Sequence, residues 1–218
     1  MSPDNFNANF EIGPILLALD MLGIAVFAAS GALAAAQKGQ TLVTFSFFAL
    51  ITGVGGGTLR DLLIDAPVFW VVDSHILIAI AAVVFIIWVT PQRWWTGQML
   101  DWFDAVGLAV YSVFGAAKAI DYGLTPVPAA LMGVITACVG GIIRDVLAGE
   151  PSIILRPEIY VTAAALASGL FVLLKMIGID TPVAALIAAL AGFLLRGAAI
   201  RFGWSLPSYR GNGQDAAS

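Results

Sequence analysis

Two segments hold most of the chemistry this sequence offers: Thr52-Gly53-Val54-Gly55-Gly56-Gly57-Thr58-Leu59-Arg60-Asp61 and Thr136-Ala137-Cys138-Val139-Gly140-Gly141-Ile142-Ile143-Arg144-Asp145. Each sets a threonine, a glycine pair and an adjacent arginine and aspartate inside an apolar run. A glycine within a helix costs about 1 kcal/mol relative to alanine, so Gly55, Gly56, Gly57, Gly140 and Gly141 need a reason to be there. Two reasons compete. Small residues let helices approach closely in a membrane. Alternatively, glycines permit a kink whose freed carbonyls line a wet path, since irregular backbone at that depth is tolerated only where protein buries it or water reaches it. Carbonyl oxygens with the Thr52 and Thr136 hydroxyls would suit a partly dehydrated monovalent cation. A phosphate loop fits poorly, because no Lys-Ser/Thr follows the glycines.

Ionisable residues inside apolar segments are expensive and are functional candidates by default. Here they are Asp20, Arg60, Asp61, Asp104, Lys118, Arg144, Asp145 and Arg196. At 1.5 Å per residue Asp20 lies about 9 Å from the outer end of its helix, level with Arg60, and Asp104 and Arg144 share the corresponding level on the other side. The expectation is that each carboxylate pairs with the arginine of its own segment and guards one mouth of a path. Neighbouring residues on a helix do not face each other, so Arg60 and Asp61 are not expected to satisfy one another. The plainer reading makes these charges static pegs near the interfaces. Lys118 is expected to snorkel to the surface, with a positive plug as the alternative. Arg196 sits about two turns inside its helix, where snorkelling also competes. His75, the one histidine, offers no metal constellation, and the tryptophans gather at span ends as interfacial anchors.

The elements that position these residues follow from composition. With 60% hydrophobic and 11% charged residues and a mean hydropathy of +0.96 over 218 residues, the chain is an all-α membrane protein. A spanning helix needs about 20 apolar residues, and seven runs qualify: 14–36, 42–63, 74–90, 102–120, 125–147, 159–176 and 182–203. The first run has no basic residue before it and contains Asp20, so it reads as a span and not as a cleaved signal. Cys138 lies in an apolar segment and reads as packing. A net charge of -4 without a basic cluster gives nucleic-acid binding no support. No nucleophile and base pair, metal set or cofactor motif points to an enzyme.

Shifting the chain against itself by 84 residues gives 19 identities in 52 gap-free positions from Leu16 to Pro67, against roughly four or five expected from composition. Asp20 falls on Asp104, Gly23 on Gly107, Gly31 on Gly115, Gly39 on Gly123, Thr52 on Thr136, and Arg60-Asp61 on Arg144-Asp145. The chain therefore divides into a first three-helix unit, 14–90, a second, 102–176, a seventh helix, 182–203, and a tail, 204–218. Three spans per unit invert the second copy relative to the first, a plan typical of transporters with a path near the midplane. Lys38, Arg93, Arg156, Arg201 and Arg210 mark alternate connections as cytoplasmic, whereas the segment holding Asp4 and Glu11 has no Lys or Arg. The amino terminus is expected outside and the carboxyl terminus inside.

The doubled elements Gly56-Gly57-Thr58-Leu59-Arg60-Asp61 and Gly140-Gly141-Ile142-Ile143-Arg144-Asp145, set on a seven-span inverted repeat, resemble the prokaryotic members of the trimeric intracellular cation channel family over residues 14–203. The resemblance implies a homotrimer in the plasma membrane of a bacterium or archaeon, embedded in lipid, with a pore in each subunit bounded by kinked second and fifth helices. It implies passage of monovalent cations, potassium or sodium, and no cofactor. The kink glycines would be Gly56, Gly57, Gly140 and Gly141, and Gly55 departs from its mate Val139. The lysine-rich lipid-binding element of animal members is not found here, so lipid regulation is not carried over. A passive channel leads this reading. A carrier for a small zwitterion such as glycine also suits an inverted repeat with broken helices, while a purely structural protein leaves the buried Arg and Asp of both copies unexplained.

Overall fold

The computed structural model describes residues 13–95 and 98–207. Asp4, Glu11 and Arg210, used above to orient the chain, lie outside these, as does most of the 204–218 tail. Among the described residues the fold is eight α-helices with no strand: α1 Pro14–Gln37, α2 Leu42–Leu63, α3 Phe69–Val72, α4 His75–Val89, α5 Met99–Asp121, α6 Pro126–Ala148, α7 Val161–Met176 and α8 Thr181–Phe202. All but the short α3 coincide, to within a turn, with the seven apolar runs. Five of them (α1, α2, α5, α6 and α8) are long and apolar enough to cross a membrane. The other two, α4 with 15 residues and α7 with 16, extend only about 22–24 Å at 1.5 Å per residue, short of the ~30 Å hydrocarbon core.

The helix ends follow local rules. Proline opens α1 and α6 near the first helical position, where its missing N–H costs nothing. The Thr41 hydroxyl accepts the Thr44 amide at the start of α2. Gly39 and Gly123, mates in the repeat, both take left-handed backbone (φ +62° and +84°) just past α1 and α5, a conformation that glycine reaches without a Cβ penalty.

At the centre α1 and α5 pack on each other, and each carries the glycine-bearing helix of its own unit, α2 or α6. α2 and α6 in turn cross one another. α4 and α7 lie outside, each burying one stripe. On α4 the stripe is Ile76, Ile80, Val84 and Ile87, the spacing of a helix with a single apolar face inward. The packing repeats with the sequence. Gly23 sits against the Tyr111 ring and Gly107 against the Phe27 ring, and Phe27 and Tyr111 are themselves mates; Gly31 meets Thr52 as Gly115 meets Thr136. α8 rests mainly on α5 and α7 of the second unit and also touches α1. Cys138 is a free, buried thiol.

Candidate functional site

The glycines lie where α2 and α6 cross. A Cβ on Gly56 would overlap the Thr136 carbonyl, and one on Gly140 would come 2.5 Å from the Thr52 carbonyl oxygen. The two contacts are the same contact with the copies exchanged. Both helices remain helical through the glycines, so the chain is not broken there. The glycine cost is offset here by backbone-to-backbone approach, and the carbonyls keep their helical partners. A Cβ on Gly55 would stand 3.0 Å from the tip of Ile143 and 4.0 Å from Gly140 Cα. The threonines differ: the Thr136 hydroxyl donates to the Met132 carbonyl at 2.6 Å, whereas the buried Thr52 hydroxyl has no hydrogen bond among the described residues.

A charge cluster lies on either side of this crossing. In the first, at the ends of α2 and α5, Arg60 donates to Asp61 Oδ1 through Nε and Nη2, each at 2.8 Å, and Lys118 Nζ reaches the same oxygen at 2.8 Å. Asp61 Oδ2 accepts the Phe69 amide at 3.1 Å. In the second, at the ends of α1 and α6, Arg144 donates to Asp145 Oδ1 through Nε (2.9 Å) and Nη2 (2.8 Å), and Asp145 Oδ2 accepts the Ile153 amide at 2.9 Å. Phe69 and Ile153 are 84 residues apart, so each aspartate pins the segment after its helix in the same way. The expectation that adjacent Arg and Asp could not satisfy each other is therefore wrong. Their Cβ atoms diverge, but the arginine is long enough to fold back over its own turn.

The expected Asp–Arg pair between helices forms in one copy only. Arg144 Nη1 reaches Asp104 Oδ1 at 2.5 Å and also donates to the Ser30 hydroxyl. Asp20 does not pair with Arg60; its Oδ1 and Arg60 Nη1 are both buried without a hydrogen-bond partner. The surroundings of the two arginines differ. Where the second cluster has Ser30, the first has its mate Phe114, whose ring lies 5.2 Å from the Arg60 guanidinium, with Phe69 at 5.8 Å. Aromatic faces hold the cation instead of Asp20.

Lys118, expected to snorkel, turns inward to Asp61 and leaves only 12% of its side chain exposed. Arg196 is buried too, with Nη2 2.8 Å from Glu158 Oε2 and Nη1 donating to the Ile159 carbonyl at 3.4 Å. Sequence reading missed Ser30, Phe69, Phe114, Glu158 and Tyr160 as partners. The unlike mates Ser30 and Phe114 carried a signal, while Glu158 and Tyr160 sit in a connection without any. His75 bonds Asp73 (Nδ1 to Oδ1, 2.8 Å) in an exposed turn. The His75 backbone N–H, aided by the ring, holds the Asp73 carboxyl below its usual range.

The second cluster opens into a polar cavity of about 290 Å³ whose lining includes Lys38, Asp101, Arg144, Asp145, Glu150 and Arg156. Lys38 and Glu150 bridge it at 2.5 Å. The hydrogen bond and charge of Lys38 draw the Glu150 carboxyl below the usual glutamate range.

The Glycine transporter family model matches residues 17–91 and 101–176. The UPF0126 inner membrane protein YadS of Escherichia coli strain K12 is 40% identical over 196 residues, covering 88% of this chain and 94% of that protein. A UPF0126 membrane protein of Vibrio cholerae is 39% identical over 201 residues, 89% of this chain and 83% of its own. The trimeric intracellular cation (TRIC) channel orthologue from Rhodobacter sphaeroides superposes at TM-score 0.82 with 40% identity, covering 88% of this chain and 100% of that one. This chain belongs to the TRIC channel family. Relatives in this family are named as channels or UPF0126 membrane proteins and not as enzymes. The chain is accordingly a multi-pass inner-membrane protein of the TRIC type.

Proposed function

We propose that this protein is a monovalent cation channel, selective for potassium over anions, in which each subunit of a homotrimer holds its own path along the α2–α6 crossing. The observation that carries this reading is the placement of two mated charge clusters on either side of one backbone-close glycine crossing, on a fold that superposes on a TRIC cation channel over all of that chain. The Lys118–Asp61 and Arg144–Asp104 pairs close the two mouths, and cations pass when the pairs separate. The threonine hydroxyls and neighbouring carbonyls replace water around the ion at the crossing.

Three features support seven spans arranged as an inverted repeat. Lys38 at the end of α1 meets Glu150 at the end of α6, and Lys118 near the end of α5 meets Asp61 near the end of α2. Equivalent helices of the two units thus finish on opposite faces. The crossing contacts are exchanged between copies, as a two-fold axis in the membrane plane requires. On this reading α4 and α7 span with the connections around them dipping into the interface. The amino terminus lies outside and the carboxyl terminus in the cytoplasm.

Potassium-loaded vesicles containing the purified protein test the function. Rapid passive potassium efflux, insensitive to external glycine, is the expected outcome. A second reading, a carrier for a small zwitterion, draws on the description of the matching family model. Saturable, stereotyped glycine uptake in vesicles that retain potassium would replace the channel with it.

A further inference from the structure

Arg196 belongs to α8, which has no place in the repeat, yet its guanidinium touches three consecutive residues of the connection leading into α7. Nη2 meets the Glu158 carboxylate at 2.8 Å, Nη1 donates to the Ile159 carbonyl at 3.4 Å, and Cζ lies 5.3 Å from the centre of the Tyr160 ring. The same connection is tied to the chain beyond α8. Glu158 pairs with Ser205 in an isolated antiparallel bridge, and the Leu206 amide donates to the Pro157 carbonyl at 2.7 Å. α8 is fixed to α5 beside Asp101 and Asp104, with Gly197 against the Trp102 ring and Trp102 packed on Phe193 at 6.0 Å.

What this clamp holds in place is the Tyr160 hydroxyl. Tyr160 is 1% exposed, and its Oη stands 2.6 Å from where a Cβ on Gly141 would be, with Asp104 Oδ1 at 3.2 Å and Arg144 Nη2 at 3.7 Å from that same point. Tyr160 Oη and Asp104 Oδ2 are both buried without a hydrogen-bond partner. Buried polar atoms without partners are costly, and Asp104 is the acceptor that stands beside the Tyr160 hydroxyl. The first cluster also has two buried atoms without partners, Asp20 Oδ1 and Arg60 Nη1, but no hydroxyl in the place of Tyr160. Tyr160 is replaced there by its mate Ile76, and Gly57, the mate of Gly141, is covered by the Phe69 ring. The two mouths are therefore chemically different, one lined by an aromatic ring and the other by a phenol and a carboxylate.

We propose that Arg196 is a positioning residue for the mouth at the second cluster: through Glu158, Ile159 and the Tyr160 ring it seats the Tyr160 hydroxyl against Gly141, beside the Asp104–Arg144 pair. The inference rests on the conduction reading above. Removing the hydroxyl alone, in Tyr160→Phe, changes unitary conductance at least twofold for cations entering from the second-cluster side and leaves entry from the other side nearly unchanged. Arg196→Gln reproduces that one-sided change, and the double variant Arg196→Gln/Tyr160→Phe shows no more than either single one, because the two act through one group. Arg196→Lys restores part of the wild-type conductance, since an ammonium keeps the charge but cannot hold three partners with one planar fork.

The test is single-channel recording of these variants in planar bilayers, combined with ¹⁹F NMR of protein labelled with 3-fluorotyrosine. The chain has four tyrosines, and the Tyr160 resonance is the one lost in Tyr160→Phe. That resonance shifts in Arg196→Gln and returns toward its place in Arg196→Lys. An Arg196→Gln channel with reduced thermal stability but wild-type conductance from both sides, and an unmoved Tyr160 resonance, would overturn the proposal. If Arg196→Gln does not assemble, Glu158→Gln removes one anchor and is read the same way. Should wild-type protein pass no cation current, the conduction reading falls, and the ¹⁹F resonance alone decides whether Arg196 seats Tyr160.

Discussion

At the scale of single residues the two clusters set mated arginines in different surroundings. Ser30 lets Arg144 hold Asp104, while Phe114 at the mated position draws Arg60 toward aromatic faces and leaves Asp20 Oδ1 without a partner. Breaking a buried pair by removing one member costs about 3–5 kcal/mol, because the other charge stays buried and uncompensated. Asp104→Asn is therefore expected to destabilise the protein by an amount in that range, whereas Asp20→Asn, which breaks no pair, costs far less; thermal unfolding in detergent compares them. Outside the membrane, Glu150 has its carboxyl lowered by Lys38. A lowered acid stabilises the folded state above its unfolded pKa, and that contribution disappears as pH falls through the lowered value. Carboxyl ¹³C titration of Glu150 should give a midpoint below the ordinary glutamate value, returning to it in Lys38→Ala.

At the scale of elements, the α2–α6 crossing depends on glycine at two positions and merely tolerates it at a third. Gly56→Ala or Gly140→Ala sets a methyl group against a carbonyl of the facing backbone, and overpacking of this kind costs about 1–3 kcal/mol. Gly55→Ala meets the movable end of Ile143 closely and Gly140 Cα at ordinary contact distance and gains about 1 kcal/mol of helix propensity, so its sign should be neutral or favourable. Melting temperatures of the three variants check the order. Helix positions were legible in the sequence because twenty-residue apolar runs bounded by Lys38-Gly39, Pro91, Tyr122-Gly123 and Asp180-Thr181-Pro182 leave little choice. Helix continuity was not. A glycine pair fits a kink or a close crossing equally well, and the facing carbonyls of Thr52 and Thr136 show the close crossing. The Arg–Asp partnerships were legible as clusters but not as contacts, since side-chain reach, not Cβ direction, sets what an arginine touches.

At the scale of the whole molecule, the 84-residue repeat gives two clusters of similar plan, and the differences between copies make them unlike: Lys118 for Ala34, Phe114 for Ser30, and α8 packed mainly against the second unit. The proposed orientation has a direct check. In a Cys138→Ser background, His75→Cys should react with an impermeant thiol reagent from the periplasmic side, and Trp204→Cys only after the membrane is opened. Both positions are exposed, so the reverse pattern would invert the topology. The proposed function is conduction of cations through each subunit. Its most direct measurement is the current through purified protein in a planar bilayer under a potassium chloride gradient. Discrete single-channel steps reversing near the potassium equilibrium potential are expected, with larger open probability in Lys118→Met, which frees the mouth held by Asp61. A silent bilayer, together with saturable glycine uptake by the same preparation in vesicles, would contradict it.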